Sequence, residues 1–231
     1  ITIDLRTSEA QELAQVLITK PGQDNGCLLT NLKAKGWLDF KVLKKLRKDL
    51  IMLEITGNRS GSIAVDYTIN ARTGFPMVTG PSTHKGPVNH VLPMWDILTG
   101  ASAANGLLVA ERRRKITNQS QHVKIALADS AFSTLSHLGY LAEIEINKED
   151  RPRIGNHVYG SFACDFGTKD ERRIMITAFT KNHWLAILKA TDTEDTFCAF
   201  EIKNKTNLRL EENRYNFRIN IESILSPWFL S

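Results

Sequence analysis

Three short apolar runs, spaced by helical patterns, constrain this chain more than anything else in it. Cys27–Leu32 and Ile51–Thr56 read as buried strands, and Val123, Ile125 and Leu127 alternate as a third strand does. Between the first two, Leu38–Leu50 carries Leu43, Leu46 and Leu50 at helical spacing with lysines in the gaps. Ahead of them, Ile1–Leu5 is a strand candidate, and Thr7 or Ser8 caps an amphipathic helix built on Leu13, Val16 and Leu17. Strand–helix alternation of this kind points to a parallel α/β sheet, because parallel neighbours need a long crossover and a helix fills it.

The middle of the chain breaks the alternation. Residues 57–91 read as irregular, with five glycines and three prolines between Gly57 and Pro87. A long loop inside a compact domain is usually functional. Pro93–Glu111 is the next expected helix. Gly100, Ala101, Ser102, Ala103, Ala104 and Gly106 give it a small face that lets another backbone or a partner chain come close. Asp129 opens a helix with Phe132, Leu135 and Leu138, as a plain N-cap would. Asn147–Arg153 is nearly all polar and reads as a linker. A large α/β segment is therefore expected over residues 1–146 and a smaller α+β unit over 147–231. In the second, a glycine-bounded loop (Gly155–Gly160), a strand (Arg173–Phe179) and a helix (Lys181–Lys189) are legible. Ile1 is not a methionine, and Ser231 closely follows Pro227-Trp-Phe-Leu230, so the chain reads as a piece of a longer protein.

Composition narrows the function classes. Hydrophobic residues make up 42% and charged residues 24% of the chain, ordinary for a globular protein, and no apolar run approaches the ~18 residues of a membrane span. Cys27, Cys164 and Cys198 are odd in number and far apart, so a reducing, cytoplasmic setting is expected and a disulfide framework is not. The net charge of +5 fits nucleic acid, an anionic membrane or a phosphorylated small molecule. The densest basic run, Arg112-Arg-Arg-Lys115, closes an apolar helix, where cations suit the negative end, and no aromatic residues interleave with it. It reads as a solvated helix end, with neither nucleic acid nor membrane as partner. A basic, non-enzymatic binding domain stays open on charge alone. The six histidines show no metal-ligand spacing, so no metal is expected. Gly57-Asn-Arg-Ser-Gly-Ser62 lacks the phosphate-binding glycine order and reads as a turn.

One carboxylate stands out. Asp96 lies just after Pro93, in what should be a first helical turn, where the helix dipole favours its ionised form. Such a group can attack an acyl compound, and the turn's N–H groups can steady an oxyanion. The same position equally suits an Asp that only complements the helix end. His90 could face the same cleft.

Ile3-Asp-Leu-Arg6, Thr30-Asn-Leu32, Asp66-Tyr67, Pro93-Met-Trp-Asp-Ile-Leu-Thr-Gly100 and Arg112-Arg-Arg-Lys115 followed by Val123-Lys-Ile-Ala-Leu127 fall in one order. That order resembles the family III CoA-transferases, the CaiB/BaiF group. The resemblance runs along the whole chain. It extends through Gly74–Gly80, Val88–Leu92, Asp150–Asn156 and Pro227–Phe229 to members that move CoA between the C1 and C4 carboxyls of mesaconate. It implies a Rossmann-like large domain, a smaller α+β domain and an interlocked homodimer, with this chain lacking both ends of the family fold. It implies acyl-CoA and carboxylic acid substrates, CoA as a substrate moiety with no resident cofactor, and Asp96 as the nucleophile. Arg6, Asn31 and Tyr67 match positions near CoA. The family's racemase branch places a His immediately before the Asp matching Asp66. Here that position is Val65, which carries no proton. Thr117-Asn-Gln-Ser-Gln121 departs from the glycines usual in the family at that turn.

Overall fold

A three-stranded parallel sheet organises the first part of the chain. β1 (Cys27–Thr30), β2 (Ile51–Thr56) and β3 (Gln121–Ala126) lie in that order, Ile51 facing Cys27 on one side and Gln121 on the other. The computed structural model describes residues 2–231. Within them, one compact unit runs up to Met77 and resumes over Asn89–Asp150; a second comprises Val78–Val88 and Arg151–Ser231.

α1 (Ser8–Thr19) begins where expected, with Thr7 Oγ1 accepting from the Ala10 N–H at 3.2 Å. The apolar face read from sequence is not what α1 buries. Leu13, Val16 and Leu17 are exposed, and Ala14 and Ile18 turn inward. No strand precedes α1 among the described residues. Asp4 takes the Arg6 backbone N–H at 3.1 Å, and the Thr7 N–H donates to the Asp4 carbonyl at 3.1 Å. These bonds fold residues 4–7 into a turn, and Ile1 lies outside the described residues.

α2 (Phe40–Leu46) fills the crossover from β1 to β2, capped by Asp39. α5 (Met94–Thr117) lies in the crossover from β2 to β3. Side chains alternate along β2, and each face meets a helix. Met52 joins Leu38, Leu43 and Leu50 on the α2 side. Leu53 lies beneath Gly106 of α5, together with Val123 and Ile125. Helices on both faces explain why β2 is apolar at nearly every position. Besides the terminal Thr56 its polar residue is Glu54, 7% exposed and paired with His122 at 3.3 Å and Lys124 at 3.7 Å on β3.

The stretch expected to be irregular holds two helices, α3 (Asp66–Thr73) and α4 (Phe75–Val78). Gly74 sits between them at φ +79°, a conformation glycine adopts without strain. Weak apolar periodicity hid α3, whose only buried apolar residue is Ile69. α6 (Leu127–His137) follows β3 without a loop, and α7 (Tyr140–Asn147) follows after Gly139.

The second unit contains more than its sequence reading. β4 (Phe162–Gly167) pairs antiparallel with β5 (Arg173–Ala178). α8 (Lys181–Thr191), α9 (Glu194–Asn204), α10 (Glu211–Asn216) and α11 (Arg218–Phe229) complete it. Phe162, Cys164 and Phe166 of β4 form one core with Trp184, Phe197, Leu208, Ile221 and Leu225. Arg214, 1% exposed, stands at its margin and donates to the carbonyls of Ala178, Leu208 and Phe179 at 2.9, 2.8 and 3.0 Å. Residues 78–88, which the sequence reading kept with the first segment, belong here. Arg153 holds them through the carbonyls of His84 and Gly86, at 2.5 and 2.7 Å.

A Cβ added at Gly106 would stand 3.4 Å from Leu53 and 3.6 Å from Ile125 and Val123. Gly106→Leu is expected to lift α5 off the sheet and cost about 1–3 kcal/mol. Urea unfolding of the variant measures this. An unchanged midpoint would mean the helix is not seated as described.

Candidate active site

Two helices of the first unit start side by side. α3 begins at Asp66 and α5 at Met94, with Pro93 at the α5 N-cap. Proline offers no side-chain acceptor, so the first-turn N–H groups of α5 need another partner. Asp66 supplies it. Its Oδ2 accepts from the Trp95 N–H at 2.7 Å and the Asp96 N–H at 3.1 Å. Its Oδ1 lies 2.6 Å from His90 Nε2. Asp66 is 2% exposed and is also the first residue of α3, whose dipole favours a negative charge there. One carboxylate thus serves the positive ends of two helices. One turn along α3, Asn70 accepts from Trp95 Nε1 at 3.2 Å and donates to Asn89 Oδ1 at 3.1 Å. Tyr67 stands edge-on to the His90 ring, 5.5 Å between centroids.

Asp96 is the third residue of α5. Its neighbour Trp95 turns fully inward, and Asp96 is exposed. α5 runs back across the sheet before β3, so its first turn lies toward the carboxyl ends of the strands. Ligands of open α/β sheets gather at that edge. Partial burial, and then the charge of Asp66, raise the Asp96 carboxyl above the ordinary 3.8. The dipole argument pointed the other way. Asp66 already occupies the positive end of α5, and its charge works against a second one. The same occupancy removes the Trp95 and Asp96 N–H groups as oxyanion donors, correcting that expectation too. What is left is a carboxylate facing outward with no hydrogen bond among the causes of its shift, a group fit to attack an acyl carbon.

The other residues singled out from sequence fall in two places. Tyr67 belongs to the helix-end group through His90. Arg6 lies in the turn before α1, 89% exposed and ion-paired with Asp4 at 2.7 Å. With Lys33, Lys35 and Trp37 it lines a groove of about 540 Å³. Asn31, exposed just after β1, stands two residues from Lys33 at the carboxyl edge of the sheet. Three cations and an indole suit a ligand carrying phosphates and a planar ring.

Comparison with known proteins matches the model of CoA-transferase family III to residues 1–231. The chain belongs to CoA-transferase family III. It is 46% identical over 229 residues to the 2-methylfumaryl-CoA isomerase of Chloroflexus aurantiacus, covering 99% of this chain and 56% of that protein. It is 27% identical over 244 residues to the succinyl-CoA:mesaconate CoA-transferase of Haloarcula marismortui, covering 97% of this chain and 60% of that one. The fold is that of a CaiB/BaiF family protein from Brucella suis, with a TM-score of 0.75 at 20% identity over the whole chain and 60% of that structure. The chain thus spans roughly three-fifths of the length of these relatives.

Local contacts correct two sequence readings, the basic run and Asp129, and bear out a third, the turn at Gly57–Ser62. The basic run is not a solvated helix end throughout. Arg114 is 5% exposed and donates to the carbonyls of Asn25, Gly26 and Gln23 at 2.8, 3.2 and 3.3 Å. Asp129 is not an N-cap. It is the third residue of α6 and pairs with Arg59 at 2.9 Å. Gly57–Ser62 closes on itself, through the Asn58 N–H to Ser62 O at 3.1 Å and the Gly61 N–H to Asn58 O at 2.9 Å. The Asp66–His90 pair is the largest omission. Its signal was a buried-helix Asp beside a proline-capped helix with no capping side chain of its own.

The raised Asp96 carboxyl gives a testable sign. Ionisation of Asp96 costs the folded state more than the unfolded one. Stability is therefore intact below the unfolded value near 3.8 and declines as pH rises through the raised folded value. Asp96→Asn should melt higher than the parent at neutral pH, and the difference should shrink toward pH 4. A lower neutral-pH melting point would contradict this placement of Asp66 and Asp96.

Proposed function

We propose that the enzyme containing this chain transfers CoA between carboxylates through Asp96, and does so within one molecule, from C1 to C4 of an unsaturated diacid such as mesaconate. The observation that carries this reading is the outward Asp96 carboxylate, on a helix whose end is braced from beneath by Asp66. The identity to the Chloroflexus isomerase supports the choice of reaction. The Asp96 carboxylate attacks the thioester carbon and expels CoA thiolate, leaving an acyl–aspartyl anhydride. The thiolate attacks the aspartyl carbonyl, releasing the diacid carboxylate and forming an aspartyl–CoA thioester. The other carboxylate of the diacid then attacks that thioester. The expelled thiolate finally takes the new acyl group and frees Asp96.

In this reading Arg6 and Asn31 contact the CoA phosphates with Lys33 and Lys35, and Tyr67 lies near the pantetheine beside His90. CoA arrives as part of the substrate and leaves as part of the product. The protein works in the cytoplasm. Among the described residues, no helix is long and apolar enough to cross a membrane. It works as a homodimer through the outer face of α5, where Ile97, Gly100, Ala101, Ala104 and Leu108 are all exposed.

A racemase reading has one observation in its favour. His90 supplies the proton carrier that Val65 cannot, bonded to Asp66 at 2.6 Å. Against it, Asp66 is buried and its second oxygen holds the α5 backbone. Solvent deuterium entering the carbon next to the thioester would favour racemisation; CoA migration without it favours transfer.

Asp96→Asn in the intact enzyme should retain the fold and lose turnover, since an amide forms no anhydride. Asp129→Asn should retain most activity, because its partner Arg59 is exposed and such pairs contribute about 0–1 kcal/mol. Hydroxylamine trapping with acyl-CoA, mapped by mass spectrometry, should mark Asp96. A mark on Asp66 or Asp129 would reassign the nucleophile. Ala104→Leu should disturb assembly or folding, read in light scattering as loss of the dimer. A variant still dimeric would remove α5 from the interface.

A further inference from the structure

The second unit holds a side-chain cluster that acyl transfer does not use. Cys164, third in β4, is 2% exposed within the aromatic core. Glu222 lies on α11, which packs over β4. His157 comes from the loop ahead of β4. One ligand atom from each side chain lies within 4.8 Å of the other two. His157 Nε2 is 3.0 Å from Glu222 Oε2. The His157 side chain is 10% exposed, and its Nδ1 is buried without a partner. All three residues line a cavity of about 380 Å³.

Ordinary packing accounts for a thiol in an aromatic core. It does not account for an imidazole and a carboxylate converging with that thiol around one cavity. A cysteine nucleophile activated by His157 is excluded by the geometry. No hydrogen bond links thiol and imidazole, and burial with nearby Glu222 and Asp165 pushes the thiol up to about 12.

We propose that His157, Cys164 and Glu222 bind one thiophilic divalent cation of the zinc class. A sulfur, a nitrogen and a carboxylate oxygen form a borderline-soft set that zinc accepts and magnesium or calcium does not favour. Nitrogen and oxygen ligands roughly 2.0–2.2 Å from a tetrahedral ion stand roughly 3.4 Å apart, and a sulfur at roughly 2.3 Å stands slightly farther from each. The His157–Glu222 pair, at 3.0 Å, is already near that spacing, and the Cys164 sulfur lies within 4.8 Å of both ligand atoms. The cation binds neutral His157 through Nε2, with the imidazole proton on Nδ1, together with the Glu222 carboxylate, and displaces the thiol proton to solvent. The fourth position opens to the cavity, as in zinc sites that take water or a small ligand. His157 and Glu222 lie 65 positions apart, so no spacing rule applied to the sequence could join them.

The test uses the full chain, stripped with chelator and titrated calorimetrically with Zn²⁺ and, separately, Mg²⁺. One equivalent of Zn²⁺ per chain and no Mg²⁺ heat are expected. Co²⁺ should give a thiolate-to-cobalt charge-transfer band that Cys164→Ser lacks. Glu222→Gln, at a partly exposed position, should weaken zinc binding at least roughly tenfold while leaving the metal-free circular dichroism spectrum intact. If Cys164→Ser does not fold, Glu222→Gln and the parent cobalt spectrum decide. Zinc bound equally by parent and Glu222→Gln, a cobalt complex without the thiolate band, or no zinc binding would each overturn the proposal.

Discussion

The first unit depends on the Asp66 carboxylate. It begins one helix, caps another and holds His90, so the start of α3 and the segment from His90 to Asp96 meet on two oxygen atoms. A buried carboxylate is costly unless its lone pairs are filled. Here two backbone N–H groups and an imidazole fill them. Without Asp66, α5 would begin at Pro93 with its first N–H groups unpaired against the buried Trp95. The exposed Asp96 owes its position to the hidden Asp66, and its electrostatics too.

The same arrangement explains how the unit reaches close packing. At Gly106 α5 lies so near the sheet that an added Cβ would touch Leu53, Ile125 and Val123 at ordinary contact, with anything longer crowding them. Asp66 sets where the helix starts. α2 covers the opposite face through Leu43 and Met52. β2 is thereby enclosed, and Glu54 persists there only because β3 brings His122 and Lys124 to it.

Much of this was legible in the sequence. β1, β2, β3 and α5 declared themselves by apolar runs and by Pro93, but only β2 is buried as read; in β1, Cys27 and Leu29 are exposed. The position of Asp96 followed from the same proline. α3 and α4 were not legible, since α3 buries Asp66 and Asn70 through side-chain hydrogen bonds and periodicity registers only apolar burial. β4 carried a signal in the alternation of Phe162, Cys164 and Phe166 that glycines and a nearby polar stretch obscured. α9 has apolar residues spread around its circumference and no period to read. Arg114 looked like a surface charge because composition cannot tell a guanidinium in water from one gripping three carbonyls.

α5 is fastened at both ends. Asp66 holds its first turn, and Arg114, in its last, holds the Gln23–Gly26 loop, which Arg47 also clasps through Gly22. A helix of 24 residues is roughly 36 Å long, and this one is bonded to its surroundings at each end. In the proposed chemistry the acyl group and CoA change places across a stationary carboxylate. The travelling is then left to the ligand. On that proposal a released diacid would have to turn end over end beside Asp96 before it escapes, a matter of the walls around the site and not of the anvil beneath it.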